Sequence, residues 1–366
     1  MDNGAVQVAG VLQEQHPERA LLFRQWKELD FPLLSDPLNL LDVKAVPITL
    51  LVDANGVIRF RNPSEEDWER FLALEPAQAP EPPELPGQAW AEADFAAQEG
   101  RFEEALSGYA RALVDDPSEG RLHFRSGVVY RARHDSGKGR PDDFAQAAQF
   151  WQRALDLEPG QYIWRRRIQQ YGPRLDKPYP FYDWVKDARR EIVERGGEPL
   201  PLRVEPSGAE LASPARPGEA SGPNHNPDPE GSIERVEEES LAVEAVAVFS
   251  TARDAGTGAI RVHLRFRPAG DSGLHWNNEA EPLTVWIDTP AGAEAVPVRL
   301  EYPNPEDRAV SAEERTIEFE LTWPGGEAGP ESVGGFALFN VCRDDDAQCL
   351  FRRLDFRVDL TRQQRR

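Results

Sequence analysis

The sequence predicts a multidomain chain of three successive fold classes, α/β, then all-α, then all-β. Three observations carry that expectation. Through residue 73, apolar runs of strand length alternate with stretches of helical period. From residue 88 to about 200, apolar residues keep the helical spacing and repeat themselves. From Leu241 onward the period falls to two, as expected of strands with one buried face. The divisions fall at a Pro-rich linker over 74–87 and a flexible linker over 201–240, with an all-β domain over 241–362.

In the first domain, Ala5–Leu12 is an apolar run of strand length. A helix follows, with Pro17 in its first turn, where proline is tolerated, and with Ala20, Leu21, Phe23, Trp26 and Leu29 at helical spacing. His16 stands before that proline as a helix-start residue. Phe31–Pro37 is a loop or short edge strand. Ile48–Asp53 is a buried strand, Asn55-Gly56 a hairpin turn, and Val57–Phe60 the returning strand. Ser64 and the acids after it cap a last helix through Leu72.

This order, together with Val46-Pro47-Ile48 and Asp53-Ala54-Asn55-Gly56-Val57-Ile58, resembles the redoxin branch of the thioredoxin superfamily, C-terminal half only. The resemblance implies that Pro47 is the cis proline facing the family's catalytic cysteine. That cysteine belongs to the half that is absent, and the first 73 residues hold no cysteine. The missing strand would leave a gap beside the first strand, with unpaired edges and unsatisfied backbone groups at roughly 1–3 kcal/mol each. The expectation is that the sequence is truncated at its N-terminus, with a selenocysteine codon read as a stop as one route. Completion by a partner, or partial disorder, are the alternatives.

In the middle region, Gly100–Pro117 aligns with Asp142–Pro159, matching Phe102 to Phe144, Ala105 to Ala147, Tyr109 to Trp151 and Ala112 to Ala154. The offset is 42 residues, and an insertion around Asp135–Pro141 brings it toward a period of about 34. The stretch resembles the tetratricopeptide repeat, which implies a protein or peptide partner. Two repeats seldom bury a stable core, so Tyr162–Tyr171 and Phe181–Glu194 are expected to complete a stack of about six helices. From Arg165 to Arg190 there are eight basic residues and three Asp, a net +5. Arg165, Arg166, Arg167, Arg174 and Lys177 form either a solvated capping face or an acceptor patch. The patch would suit an acidic peptide or the chain's own Glu234–Glu239.

Val243–Phe249, Ala259–Phe266, Leu283–Asp288, Val298–Tyr302, Thr316–Trp323, Phe336–Val341 and Leu350–Val358 give about seven strands, spaced as in a β-sandwich. Cys342 and Cys349 bracket the turn between the last two. With His275-Trp276-Asn277-Asn278 before a strand, this region resembles the immunoglobulin-like domain of thiol:disulfide interchange proteins. The resemblance implies that Cys342 and Cys349 are a redox pair. Asp344, Asp345 and Asp346 in the turn oppose that role, since negative neighbours raise a thiol's pKa. A structural hairpin disulfide or two inert thiols are the alternatives.

A net charge of −22 argues against nucleic acid as the main partner. No apolar run reaches the roughly 18 residues of a membrane span. Residues 1–15 show no signal peptide, which favours the cytoplasm; under truncation a signal would have been lost, and the periplasm stays open. No phosphate loop, Gly-x-Ser-x-Gly or zinc motif is present, and no cofactor or metal is implied. Two readings stand. One is a thiol-redox protein built from a redoxin remnant, a repeat adaptor and an interchange-type sandwich, with no catalysis by the N-terminal module as it stands. The other is a non-catalytic scaffold that binds partners through its repeats.

Overall fold

Short strands and two helices open the chain. The computed structural model describes residues 6–74, 90–177, 181–211, 226–236, 240–251, 257–269, 272–343 and 348–361. Within them the protein is mixed α/β, with eight α-helices and several sheets. It divides into two units, residues 1–139 with 150–166, and residues 140–149 with 167–366. Most of the Pro-rich linker lies outside the described residues, as do 212–225 and 237–239 of the second linker.

In the first unit, β1 (Gly10–Leu12) pairs in parallel with β2 (Leu33–Ser35), and β3 (Leu50–Val52) pairs antiparallel with β4 (Ile58–Arg61). The expected first strand is thus shorter, and the segment expected as a loop or short edge strand holds the short strand β2. Val8 and Val11 are about half exposed, so the apolar run lacks the cover that would extend β1. Among the described residues the two pairs form separate two-stranded sheets instead of one. Helix α1 (Pro17–Lys27) has Pro17 in its first turn, and His16 is its N-cap. It buries Arg19, Ala20 and Leu22, while Leu21 is exposed. The buried stripe is therefore displaced from the expected one. The Val46–Pro47 peptide bond is cis. Asp53 Oδ1 accepts from the amides of Asn55 and Val57, closing the turn at Gly56, whose φ is 78°. Ser64 and Asp67 form a reciprocal capping box on α2 (Glu65–Leu72).

Helices α3 (Ala91–Gln98), α4 (Phe102–Asp115), α5 (Gly120–His134), α6 (Asp143–Leu157), α7 (Tyr162–Gln169) and α8 (Trp184–Glu194) follow. Small residues set the α3–α4 crossing: a Cβ on Gly108 would stand 2.6 Å from the Cβ of Ala93. Asp94 joins three helices, accepting from the Tyr109 hydroxyl at 2.8 Å and from Arg125 Nη1 at 2.7 Å. Gly120 admits Trp164, which stacks on Phe124 with ring centroids 5.4 Å apart. Arg131 Nε donates to Asp135 Oδ2 at 2.8 Å, and His16 Nε2 lies 3.6 Å from the same oxygen. Burial opposes ionisation of Asp135, but Arg131, His134 and His16 hold its carboxyl well below the usual range. His16 is therefore more than a helix start: it fastens the N-terminal elements to the end of α5.

In the second unit, β5 (Leu241–Phe249), β6 (Thr257–Pro268), β12 (Arg315–Pro324) and β9 (Glu294–Val296) form a four-stranded sheet in that order. Strands β10 (Arg299–Tyr302), β8 (Leu283–Asp288), β13 (Ser332–Arg343), β7 (Leu274–Asn277) and β11 (Val310–Ser311) form the second sheet, with β14 (Gln348–Asp359) added to β13. One core joins the two sheets: Ile260, Val262, Leu264 and Phe266 from β6 meet Val285, Trp276, Ala337, Phe339 and Val341 from the other sheet. Alternation of side chains along each strand puts these residues on the inner faces.

Ala105 and Ala147 have no exposed surface. Ala105→Leu and Ala147→Leu are each expected to overpack their sites and lower stability by roughly 1–3 kcal/mol. Thermal and urea unfolding of the full chain measures this; unchanged midpoints in both variants contradict close packing at these alanines.

Candidate functional site

The candidate site is a row of three side chains across three strands. Cys342 on β13 lies directly opposite Cys349 on β14 and, on its other edge, directly opposite His275 on β7. Directly opposed residues of neighbouring strands share a sheet face. The next residues in register, Trp276, Val341 and Leu350, point into or against the core. By alternation, His275, Cys342 and Cys349 therefore stand on the outer face. Cys342 and Cys349 form a disulfide with their Cα atoms 4.0 Å apart. Cys342 is half-buried and Cys349 is exposed, so the pair is open to solvent from the Cys349 side. The turn acids Asp344, Asp345 and Asp346 lie outside the described residues.

His275, expected before a strand, belongs to one, β7. The signal was the alternation of Leu274, His275, Trp276 and Asn277, a short period-two pattern. What no local pattern carried was the register that sets His275 beside Cys342.

The five basic residues read as a patch do not form one exposed surface. Arg167 and Lys177 are buried, at 1% and 2% exposure, and Arg165, Arg166 and Arg174 are half-buried. Lys177 Nζ donates to the carbonyls of Gln169 and Gly172 at 2.8 Å each, and to that of Gln170 at 3.4 Å. It satisfies the carbonyls left open at the end of α7, so its charge is turned inward. Glu234, one of the proposed acidic partners of the patch, instead pairs with Arg352 at 3.0 Å.

Lys177 belongs to a charged layer on the outer face of the four-stranded sheet. Arg261 Nε donates to Glu318 at 2.8 Å, and Arg261 Nη1 to Glu320 at 2.6 Å. His263 lies 3.2 Å from Glu318 and bonds the Tyr171 carbonyl at 2.8 Å. Arg265 Nη1 donates to Glu244 at 2.6 Å. Burial opposes it, but His263 and Arg261 bring the Glu318 carboxyl down to about 2. Burial and the nearby charge of Arg261 bring Lys177 down to about 7. Burial, with Glu314, Asp142 and Asp143 close by, raises Glu244 to about 7 despite Arg265.

No family model and no curated protein matches the sequence. Among solved structures, a target of the Northeast Structural Genomics Consortium is 8% identical over 34% of this chain and 89% of its own, with a TM-score of 0.21. A FixG-related protein from Vibrio parahaemolyticus is 7% identical over 31% of this chain and 94% of its own, with a TM-score of 0.15. At these scores neither carries an argument about this chain. Among the described residues, no group of three or more His, Cys, Asp or Glu side chains could hold a metal ion, and no helix is long and apolar enough to cross a membrane.

The charged layer predicts a two-limbed pH dependence. Between its ordinary 4.5 and about pH 7, Glu244 holds a proton in the folded chain that the unfolded chain has lost, so stability falls as pH rises. Between about pH 7 and its ordinary 10.5, Lys177 holds a proton only in the unfolded chain, so stability rises with pH. In urea unfolding from pH 5 to 10, Glu244→Gln should flatten the acid limb and Lys177→Met the alkaline limb. Unaltered slopes in both variants contradict these assignments.

Proposed function

We propose that the chain is a thiol–disulfide exchange protein whose working pair is Cys342 and Cys349. The observation that carries this reading is the position of the disulfide: it lies outside the core, on an outer sheet face, with one sulfur exposed. A disulfide that served only to staple the hairpin would add little there, because β13 and β14 already pair over twelve residues. The family resemblances drawn from the sequence support the same reading. With it we propose a redoxin-type partial domain at the N-terminus, tetratricopeptide-type repeats that hold a protein partner, and an immunoglobulin-like sandwich that carries the pair.

In the exchange, a partner thiolate attacks the exposed Cys349 Sγ. The Cys342–Cys349 bond breaks, and Cys342 leaves as a thiolate. The partner's second thiol attacks the mixed disulfide and releases Cys349. The partner is oxidised by two electrons and the pair is reduced by two, with the partner's two thiol protons passing to the released sulfurs. The reverse sequence oxidises the pair.

The scaffold reading keeps one observation of its own: Phe95 on α3 and Val114 on α4 are 58% and 82% exposed. Thiol counting by mass spectrometry in redox buffers of stepped potential separates the two readings. An exchanging pair should titrate above about −300 mV, whereas a purely structural one lies below it. Cys342→Ser leaves the exposed sulfur without its resolving partner, so it should attack a protein substrate presented in its disulfide form and accumulate as the mixed disulfide, and Cys342→Ser/Cys349→Ser should not. A pair that resists reduction across this range, with no trapped adduct, favours the scaffold.

A further inference from the structure

We infer that His275 is the charge partner of the Cys342 sulfur. In its protonated form it steadies the thiolate that leaves when the disulfide opens, and it does so for Cys342 alone. The inference rests on the reading of Cys342 and Cys349 as an exchanging pair, and it gives the two sulfurs different parts in that exchange.

The strand register makes the assignment. His275 on β7 lies directly opposite Cys342 on β13, and both stand on the outer face. Opposed residues have Cβ atoms about 4.5–5.5 Å apart, a gap that an imidazole spans to reach the neighbouring sulfur. Cys349 lies on β14, on the far side of β13. Two strand spacings of about 4.8 Å each separate it from His275, which puts it out of reach. An imidazole has two ring nitrogens, so one can face the sulfur while the other keeps a bond elsewhere. Trp276 and Val341, next to His275 and Cys342 in sequence, are fixed in the core, so the two neighbours are held in place by backbone pairing.

The surrounding face brings no competing charge. Two residues along, Asn340 is opposite Phe351, and Asn277 is opposite Val310. Arg343, one residue nearer the turn, alternates to the other face. Within two residues of the cysteine row, among the described residues of β7, β11, β13 and β14 that share its face, His275 is the only ionisable side chain besides the cysteines.

The exchange then runs as follows. A partner thiolate attacks Cys349 Sγ, and the electron pair of the broken S–S bond goes to Cys342 Sγ. A protonated histidine beside a thiolate stabilises it, and a sulfur of lower thiol pKa leaves faster. The ring proton passes to Cys342, leaving a thiol and a neutral imidazole that regains a proton from solvent. The partner's second thiol gives up its proton, closes the partner's own disulfide and releases Cys349, which is protonated in turn. The partner loses two electrons and the pair gains two. In reverse, the neutral imidazole takes the Cys342 proton, and the thiolate so formed attacks the mixed disulfide at Cys349.

The test reads each thiol separately in the full chain. Cys349→Ser leaves Cys342 as the single cysteine, and Cys342→Ser leaves Cys349. Thiolate absorbance of the reduced proteins is followed from pH 5 to 10 and corrected with Cys342→Ser/Cys349→Ser. The acids of the turn are the same in every variant, so the differences report on His275. Adding His275→Gln should cut the Cys342 thiolate population near pH 6.5 at least about fivefold, and should leave that of Cys349 unchanged. His275→Lys, which restores a cation, should restore the Cys342 thiolate, which separates an effect of charge from one of packing. In the two-cysteine protein, dithiothreitol should open the disulfide several-fold more slowly in His275→Gln at neutral pH. An unchanged Cys342 population in His275→Gln overturns the inference. So does an equal fall at Cys349, or a fall that His275→Lys does not reverse. These titrations start from chemically reduced protein, so their failure is distinct from failure of the exchange reading, which the redox-buffer titration decides.

Discussion

Strand β13 is the constraint on which the candidate site depends. It pairs with β14 along twelve residues on one edge, and with β8 and then β7 on the other. Eight of its twelve residues, 334–338 and 341–343, are therefore fixed in register from both sides. Its inner face supplies Val333, Ala337, Phe339 and Val341 to the core, while its outer face presents Phe336, Leu338 and Cys342. A slip of one residue would turn the whole strand over. It would bury Cys342 and expose Val341, and packing against Trp276 and Phe339 resists that exchange. The core thus holds the disulfide on the outer face of the sheet.

The outer face of the other sheet is organised differently. Arg261, His263 and Arg265 alternate with the apolar core residues of β6, and each faces a carboxylate on a neighbouring strand. Buried charges are tolerated only when paired and hydrogen-bonded, and here every arginine of the row has its acid. Phe144 packs edge-on to both His263 and Tyr171, with ring centroids 5.2 Å apart in each case. Lys177 closes the end of α7 above this layer. The result is an interior surface whose charge state depends on pH within one unit, separate from the outer face that carries the cysteines.

Much of this was legible in the chain itself. The alternation over Leu283–Asp288 and Thr316–Trp323, the aligned alanines and aromatics of α4 and α6, the Asn-Gly turn and the Ser64 cap are all local patterns. Local patterns survive in any tertiary setting that buries the right face. The spacing of Cys342 and Cys349 about a turn likewise told that they could meet. Net charge and the two-cysteine count bounded the function without any fold.

Tertiary structure alone decided four things. It set His275 beside Cys342, because register between distant strands is fixed by the whole core and not by the residues of either strand. It turned Lys177 and Arg167 inward, because a basic side chain looks solvated in sequence until tertiary packing buries it, as the open carbonyls at the end of α7 do for Lys177. It also joined His16 to Asp135, and left β1 and β3 in separate short sheets. Strand propensity tells that a segment can be extended; only the available neighbours determine with which edge it pairs and how far it runs.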